Sequence, residues 1–475
     1  MRFAAGVCAA AIVLGAALHA QTASQPPRHD PAIELLVGDA GSLPPEFNAD
    51  VLIRLSGSPK VDTAWRRELL DEAFMRAYGA PEQYRRATTG QVPPDSRQGA
   101  QVFAYATALT RVTLQVRVVE LMAFVDADHA RELFEWIELN LAPGSCSDPL
   151  VASVDEYYGA LLQIARLSYA RNYFDSLNFF ELYLWRAHLP SEMPAVARVI
   201  QRFPRGRIQA EYLEGLFRLI LLGNSADPPG FSSAAMDIIA KMADLQIDDT
   251  RLGVVGSNVM YALREYLLAQ LKKPRCADNV TAAVAPSTFN SALRRARAED
   301  DVNPINASAV PAPTAMLGVA AIDGYWQTAD ASRLHDAAAR LRGPGAAPLP
   351  MRVRQTAEWR NQAERLLNDV DHWSGRSERE ERDYFYQKSV LYSWLLDLEP
   401  AGALRTQTLR SFVEYLRRSE NDASRRALWF AFVNRLLELT RGPFRNEVLT
   451  AMEYSHQPAI ILYAKLERMA PERRP

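Results

Sequence analysis

Asp126, Asp128, His129 and Glu132 come nearest, by residue type and spacing, to a metal-binding pattern in this chain. Asp128 and Glu132 stand four apart, and His129 and Glu132 three apart, so each pair can share one face of a helix. A zinc or calcium ion needs further ligands from elsewhere. The same residues read better as the start of a helix. Asp126 serves as N-cap, Asp128 and Glu132 are acids of the early turns, and Arg131 is their partner. No metal is expected.

Other chemistry is poorly marked. The chain carries neither phosphate-cradling glycine pattern, nor the serine elbow of the hydrolases, nor the paired histidines of the zinc proteases. His29, His129, His188, His335, His372 and His456 are scattered, and no nucleophile stands out beside one of them. Catalytic residues are therefore unassigned, and no cofactor is expected. The run from Tyr173 to Trp185 is dense in aromatics and holds Asp175 and Glu181, which gives it the composition of a sugar-binding floor. In helical register Phe174, Leu177, Phe180 and Leu184 share a face that Phe179, Tyr183 and Trp185 widen. A helix apolar nearly all round is a buried one, so core packing is the expectation.

Three cysteines are present, and Cys8 lies in the apolar leader. Cys146 and Cys276 remain, each after a helical pattern at a proline-containing turn, each with an Asp two residues on. In an exported chain this pair permits a disulfide, and two free thiols fit equally well. A bridge would close a loop worth at most about 5 kcal/mol on the chain-entropy view. Asn279-Val280-Thr281 and Asn306-Ala307-Ser308 match the glycosylation triplet, which matters only where the host has that pathway.

The leader itself is the clearest signal. Arg2 precedes an apolar run from Phe3 to Leu18, and a polar, proline-bearing stretch follows. This reads as a secretory signal peptide over 1–20, cleaved after Ala20, followed by a disordered segment over 21–30. The run is short for a membrane span, and no later stretch is apolar enough, so membrane insertion is not expected after cleavage. The expected location is periplasmic or extracellular. Basic residues number 54 and acidic residues 56, a net charge of -2. That balance gives no pull toward nucleic acid or an anionic membrane.

The elements that must position these residues read as helices throughout. Asp62 caps a segment with Trp65, Leu69, Ala73 and Phe74 on one face. Leu109, Val112, Val116 and Val119 form another stripe, as do Val151, Val154, Tyr158, Leu161 and Ala165. Tyr212 to Gly223 and Met236 to Ala243 continue the pattern, and Val259, Leu263, Tyr266, Leu267 and Leu271 close the first half. Period-two alternation is nearly absent. Residues 31–275 are therefore read as an N-terminal helical domain. Residues 276–350 hold seven prolines and read as an irregular connecting segment. Within it, helical pieces are predicted only over Phe289–Ala298 and Ser332–Leu341, and Met316, Tyr325 and Trp326 should anchor it to the helices. Residues 351–475 read as a C-terminal helical domain. There Ser377 and Glu380 suggest a capping box, and Pro458 should break the last segment.

The fold class expected is all-α, with antiparallel helical hairpins stacked as an irregular α-solenoid of the tetratricopeptide or HEAT kind. No repeat signature is recoverable. The function expected is that of an exported, non-catalytic scaffold for a protein or peptide partner. The alternative is an exported α/α-toroid hydrolase or lyase, which would need two carboxylates about 5 to 10 Å apart in a deep pocket.

Overall fold

The computed structural model describes residues 29–470 apart from 82–85, 88–95, 142–149, 204–214, 216–252, 318–325, 344–347, 375–377, 420–424 and a few single residues and pairs. The leader, Cys146, the stripes of 212–243 and the Ser377 box lie outside the described residues.

The chain is all-helical, with nineteen helices among the described residues. The first nine are α1 (Pro31–Ala40), α2 (Pro45–Ser56), α3 (Thr63–Ala77), α4 (Arg97–Tyr105), α5 (Arg111–Met122), α6 (Ala127–Glu135), α7 (Asp155–Leu167), α8 (Tyr173–Leu184) and α9 (Met193–Arg202). Then come α10 (Gly253–Lys272), α11 (Asn279–Arg295) and α12 (Ala329–Leu341). The last seven are α13 (Met351–Arg354), α14 (Ala357–His372), α15 (Glu378–Leu398), α16 (Ala403–Arg418), α17 (Arg426–Leu439), α18 (Arg445–Glu453) and α19 (Pro458–Met469). Extended pairing among the described residues is limited to two ladders of two residues per strand. Arg86–Ala87 runs antiparallel to Leu150–Val151, and Arg275–Cys276 runs parallel to Met316–Leu317.

Local chemistry accounts for the helix starts. Asp62 accepts a hydrogen bond from the Trp65 amide at 2.9 Å, and Asp126 accepts one from the His129 amide at 3.0 Å. Each such cap contributes about 1 kcal/mol. Pro458 sits in the first turn of α19, where its missing N–H costs nothing, and Gln457 supplies the cap in place of an acid. His29 and Asp30, the last residues of the segment expected to be disordered, are placed. His29 stacks on Trp65 with ring centroids 4.0 Å apart, and Asp30 caps α1. Gly79 ends the turn after α3, and an added Cβ there would meet Pro45 at 2.9 Å.

The apolar stripes face inward as the 3.6-residue period requires. Val259, Leu263, Tyr266, Leu267 and Leu271 are all buried, as are Trp359, Ala363, Leu366 and Val370. Two expectations need correction. Phe174 and Trp185 are exposed, at 72% and 44%, although their run was expected to be buried nearly all round. The rest of the expected face is buried: Leu177, Phe180 and Leu184 pack inward and Phe179 and Tyr183 widen that side, while Phe174 stands in the first turn with its ring edge-on to the half-exposed Tyr173. The second concerns 276–350, where α11 begins ten residues before the predicted piece and runs through Pro286. Proline costs a helix one hydrogen bond and a clash with the preceding turn. Here burial of Ala285, Phe289, Ala292 and Leu293 holds the helix on either side of it. Of the expected anchors Trp326 packs on the helices, while Tyr325 and the Met316 side chain lie outside the described residues. Asn290 brackets Ile305 with two hydrogen bonds of 2.8 and 2.9 Å, and Trp326 lies against His335 and Trp394.

Helices adjacent in sequence pack on one another through most of the chain. In addition the first helices pack on the last: α1 and α2 on α19, and α4 on α17. Phe47 of α2 lies among Trp429, Phe430 and Tyr463, and Phe103 of α4 meets Phe432. One continuous core therefore includes residues from both ends.

Candidate functional site

A groove of about 700 Å³ lies between α16 and α18. Leu409 and Val413 form its buried floor, and Ala451 and Tyr454 continue the apolar surface. Arg410, Glu414 and Glu447 stand at its edges, with Thr406, Asn446, Thr450 and Ser455 between them. Tyr454 is 75% exposed. Such a site presents apolar area with a few polar groups to fix orientation, the common composition of a binding surface.

The groove's electrostatics speak against acid–base work. Glu414 takes two hydrogen bonds from Arg417, at 2.7 and 2.6 Å, and one from Arg418 at 2.7 Å. These bonds, the Arg417 pair foremost, hold its carboxyl down at about 2. A carboxylate ionised at every ordinary pH and chelated by two guanidinium groups does not shuttle protons. It serves as a fixed acceptor.

Two further assemblies carry chemistry-bearing groups. The first is built on Asp50 of α2, buried at 1% exposure. Its carboxylate accepts from Arg54 Nε, Arg117 and Tyr463 Oη, each at 2.8 Å. Burial alone would raise this carboxyl, but the two guanidinium groups win and its pKa is lowered. One turn earlier Glu46 pairs with Arg426 of α17 at 3.0 Å. The neighbouring Glu120 and Glu156, on α5 and α7, are both pushed up, mainly by burial; the charge of Glu156 raises Glu120 further and Arg117 opposes the shift in both.

The second assembly surrounds Lys388 of α15, 4% exposed. Its ammonium donates to the carbonyls of Asp371 and Trp373 at 3.2 and 2.7 Å and to Tyr384 Oη at 3.0 Å. Those carbonyls end α14, so Lys388 caps the negative end of that helix. The rings of Tyr384 and Tyr415 lie 5.4 and 5.1 Å away. Asp371 is taken up by Tyr392 Oη at 2.6 Å and Ser411 Oγ at 3.0 Å. All three ammonium protons have acceptors within the protein, and the role is structural. Burial pulls Lys388 down to about 8, from an ordinary 10.5. Between those values the unfolded chain holds a proton that the folded one has released. Stability therefore rises with pH across that window, by about 1–3 kcal/mol. Urea unfolding between about pH 8 and about pH 9.5, below the titration of the buried tyrosines, is expected to show the wild type gaining stability relative to Lys388→Met.

Of the residues singled out from sequence as a metal-like cluster, His129 and Glu132 meet and the others stay in the helix-start roles expected of them. Asp126 caps α6 and pairs with Arg67 at 2.7 Å. His129 is held between Asp71 at 2.7 Å and Glu132 at 3.1 Å. Burial works against the imidazolium, but these hydrogen bonds outweigh it and raise its pKa. Arg131 reaches Asp128 at 3.7 Å. Among the described residues no group of three or more His, Cys, Asp or Glu is arranged to hold a metal. Cys276 has its backbone in the short parallel ladder, and its proposed partner Cys146 lies outside the described residues. Asn306 is exposed at a turn and bonds the Ser308 amide at 3.2 Å. No helix among the described residues is long and apolar enough to cross a membrane.

The groove, Asp50 and Lys388 were not found from sequence. For Asp50 a local signal exists, the Asp50–Arg54 spacing of four with only apolar residues between them. For Lys388 it is a lone lysine inside a helix rich in aromatics and leucine. Compared with protein-family models, curated proteins and solved structures, the chain matches none.

Proposed function

We propose that the protein is an exported, non-catalytic scaffold, and that the groove between α16 and α18 receives a short peptide segment of a protein partner. The observation that carries this reading is the groove itself: an apolar floor of Leu409 and Val413, an exposed Tyr454, and a Glu414 locked in its ionised form by Arg417 and Arg418. An exposed aromatic beside a buried apolar floor suits anchoring of an apolar side chain. Glu414 and Glu447 supply acceptors for the donors of a bound segment, and Arg410 supplies donors for its acceptors. The stacking of helices on their sequence neighbours favours stacked helical hairpins as the wider framework, while the packing of the first helices on the last speaks against an open solenoid. The leader read over 1–20 supports export.

The test is a displayed peptide library panned on the purified protein, with Thr450→Trp as counter-selector. Thr450 is exposed on the groove wall, so an indole there fills the groove without touching the core. Peptides are expected to be enriched that bind Thr450→Trp at least about tenfold more weakly, about 1.4 kcal/mol. Failure to enrich any peptide, or enrichment of peptides indifferent to the substitution, would count against the reading.

A further inference from the structure

Glu399 follows α15 and is buried at 3% exposure. Its Oε1 accepts from Thr408 Oγ1 at 2.8 Å, while Oε2, equally buried, has no hydrogen-bond partner. Close by, on the first turn of α16, Arg405 has a buried Nε that also lacks a partner. The two groups act on each other electrostatically, yet no ion pair joins them. The Arg405 guanidinium instead lies 4.4 Å over the ring of Phe444. Phe444 is the residue that precedes α18, and Arg405 immediately precedes Thr406 of the groove. The stacked pair thus clasps the ends of the two groove walls.

Each of these buried polar atoms, left without a hydrogen bond, costs stability. A neutral carboxyl exerts little pull on a guanidinium, and burial favours the neutral form of Glu399. Burial pushes its carboxyl up to about 8, against the opposing pull of Thr408 and Arg405, so near neutral pH it holds its proton. Most of the surrounding charges have partners of their own, and Asp397 and Glu447 also act on Arg405. Asp397 on the same helix is bound by Arg435 of α17 at 2.7 Å, and Arg435 also holds Glu438. Arg354 of α13 donates to the Leu398 carbonyl at 2.6 Å. Arg445 of α18 is tied to Glu467 at 3.2 Å. Glu447 of α18 attracts Arg405 from the groove side.

We propose that Glu399 and Arg405 form a latent ion pair that closes when Glu399 loses its proton, drawing Arg405 off Phe444 and releasing the clasp between α16 and α18. The device makes the width of the groove mouth sensitive to mildly alkaline pH. It concerns the walls of the groove proposed above as a peptide site, but it operates without any ligand.

A 4-fluorophenylalanine label at Phe444 gives a single ¹⁹F reporter on the stacked ring. Over about pH 6 to 10 the full-length protein is expected to show one resonance moving with a midpoint near 8, as the guanidinium leaves the ring. In Glu399→Gln the resonance stays at its low-pH position, and in Arg405→Met it is displaced and does not titrate. Thr450→Trp leaves the titration in place, so this test and the peptide test fail separately. A resonance that does not move in the wild type, or that still titrates in Glu399→Gln, overturns the proposal. The glutamine variant is close in shape and keeps the Thr408 contact, and circular dichroism of each variant checks that it is folded.

Discussion

Asp50→Ala is expected to lower the unfolding free energy by about 3–5 kcal/mol, the cost of breaking a buried ion pair by removing one partner. The carboxylate is the acceptor for two guanidinium groups and a buried phenol, and it draws them from three helices, α2, α5 and α19. Truncation leaves Tyr463 Oη buried without its partner, at 0% exposure for the residue. Arg117 and Arg54 keep some water, with side chains 28% and 37% exposed, which holds the loss toward the lower end. Tyr463→Phe removes one hydrogen bond and should cost about 1–2 kcal/mol. Glu414→Ala, which removes an equally well-formed but exposed set of ion pairs, should cost less than about 1 kcal/mol. The lowered pKa of Asp50 adds a second signature. Its contribution is present above the ordinary value of 3.8 and fades as the pH falls through the folded one. Asp50→Ala should therefore flatten the acid limb of the stability profile. Urea titrations of the three variants at neutral pH and at about pH 3 read both effects.

Glu399→Gln is expected to do the opposite, and to stabilise. In the unfolded chain this carboxyl ionises near 4.5, whereas in the folded protein it keeps its proton up to about 8. Between those values the folded state binds the extra proton, so wild-type stability falls as the pH rises. The full span corresponds to about 4–5 kcal/mol at most. Glutamine cannot ionise and remains hydrogen-bonded to Thr408. The variant should match the wild type near pH 4.5 and exceed it by several kcal/mol above about pH 8. Lys388 works in the opposite direction above about 8, so the wild-type profile should pass through a minimum there. The double variant of Glu399→Gln and Lys388→Met should lose that minimum. An unchanged profile in Glu399→Gln would mean that the carboxyl is ionised and solvated at neutral pH.

Both effects depend on contacts that local sequence patterns do not carry. The helices were legible because a period of 3.6 residues marks which side is buried. Val259 to Leu271 and Trp359 to Val370 needed nothing more. Caps such as Asp62 and Asp126 are equally local, being read from one residue and the turn after it. The Asp50 network is different in kind, since Tyr463 lies 413 residues away and its pairing depends on how α2 and α19 meet. The groove was hidden for a related reason. Leu409 and Val413 belong to the same apolar stripe as Phe412 and Leu416, and periodicity does not say which residues of a stripe border an open space. Phe174 and Trp185 show the converse. An apolar run marks a helix that can be buried on every side, but only its packed side is. The extension of α11 through Pro286 was masked by the proline itself, which local rules treat as a break and tertiary burial overrides.

The reading of this protein as a peptide-receiving scaffold rests on the groove between α16 and α18. Hydrogen–deuterium exchange with a peptide enriched on the wild-type protein addresses it most directly. Added protection is expected in α16 and α18, centred on Thr406–Glu414 and Asn446–Ser455, and absent when Thr450→Trp replaces the wild type. Protection centred on any other helices, with α16 and α18 unchanged, would contradict it.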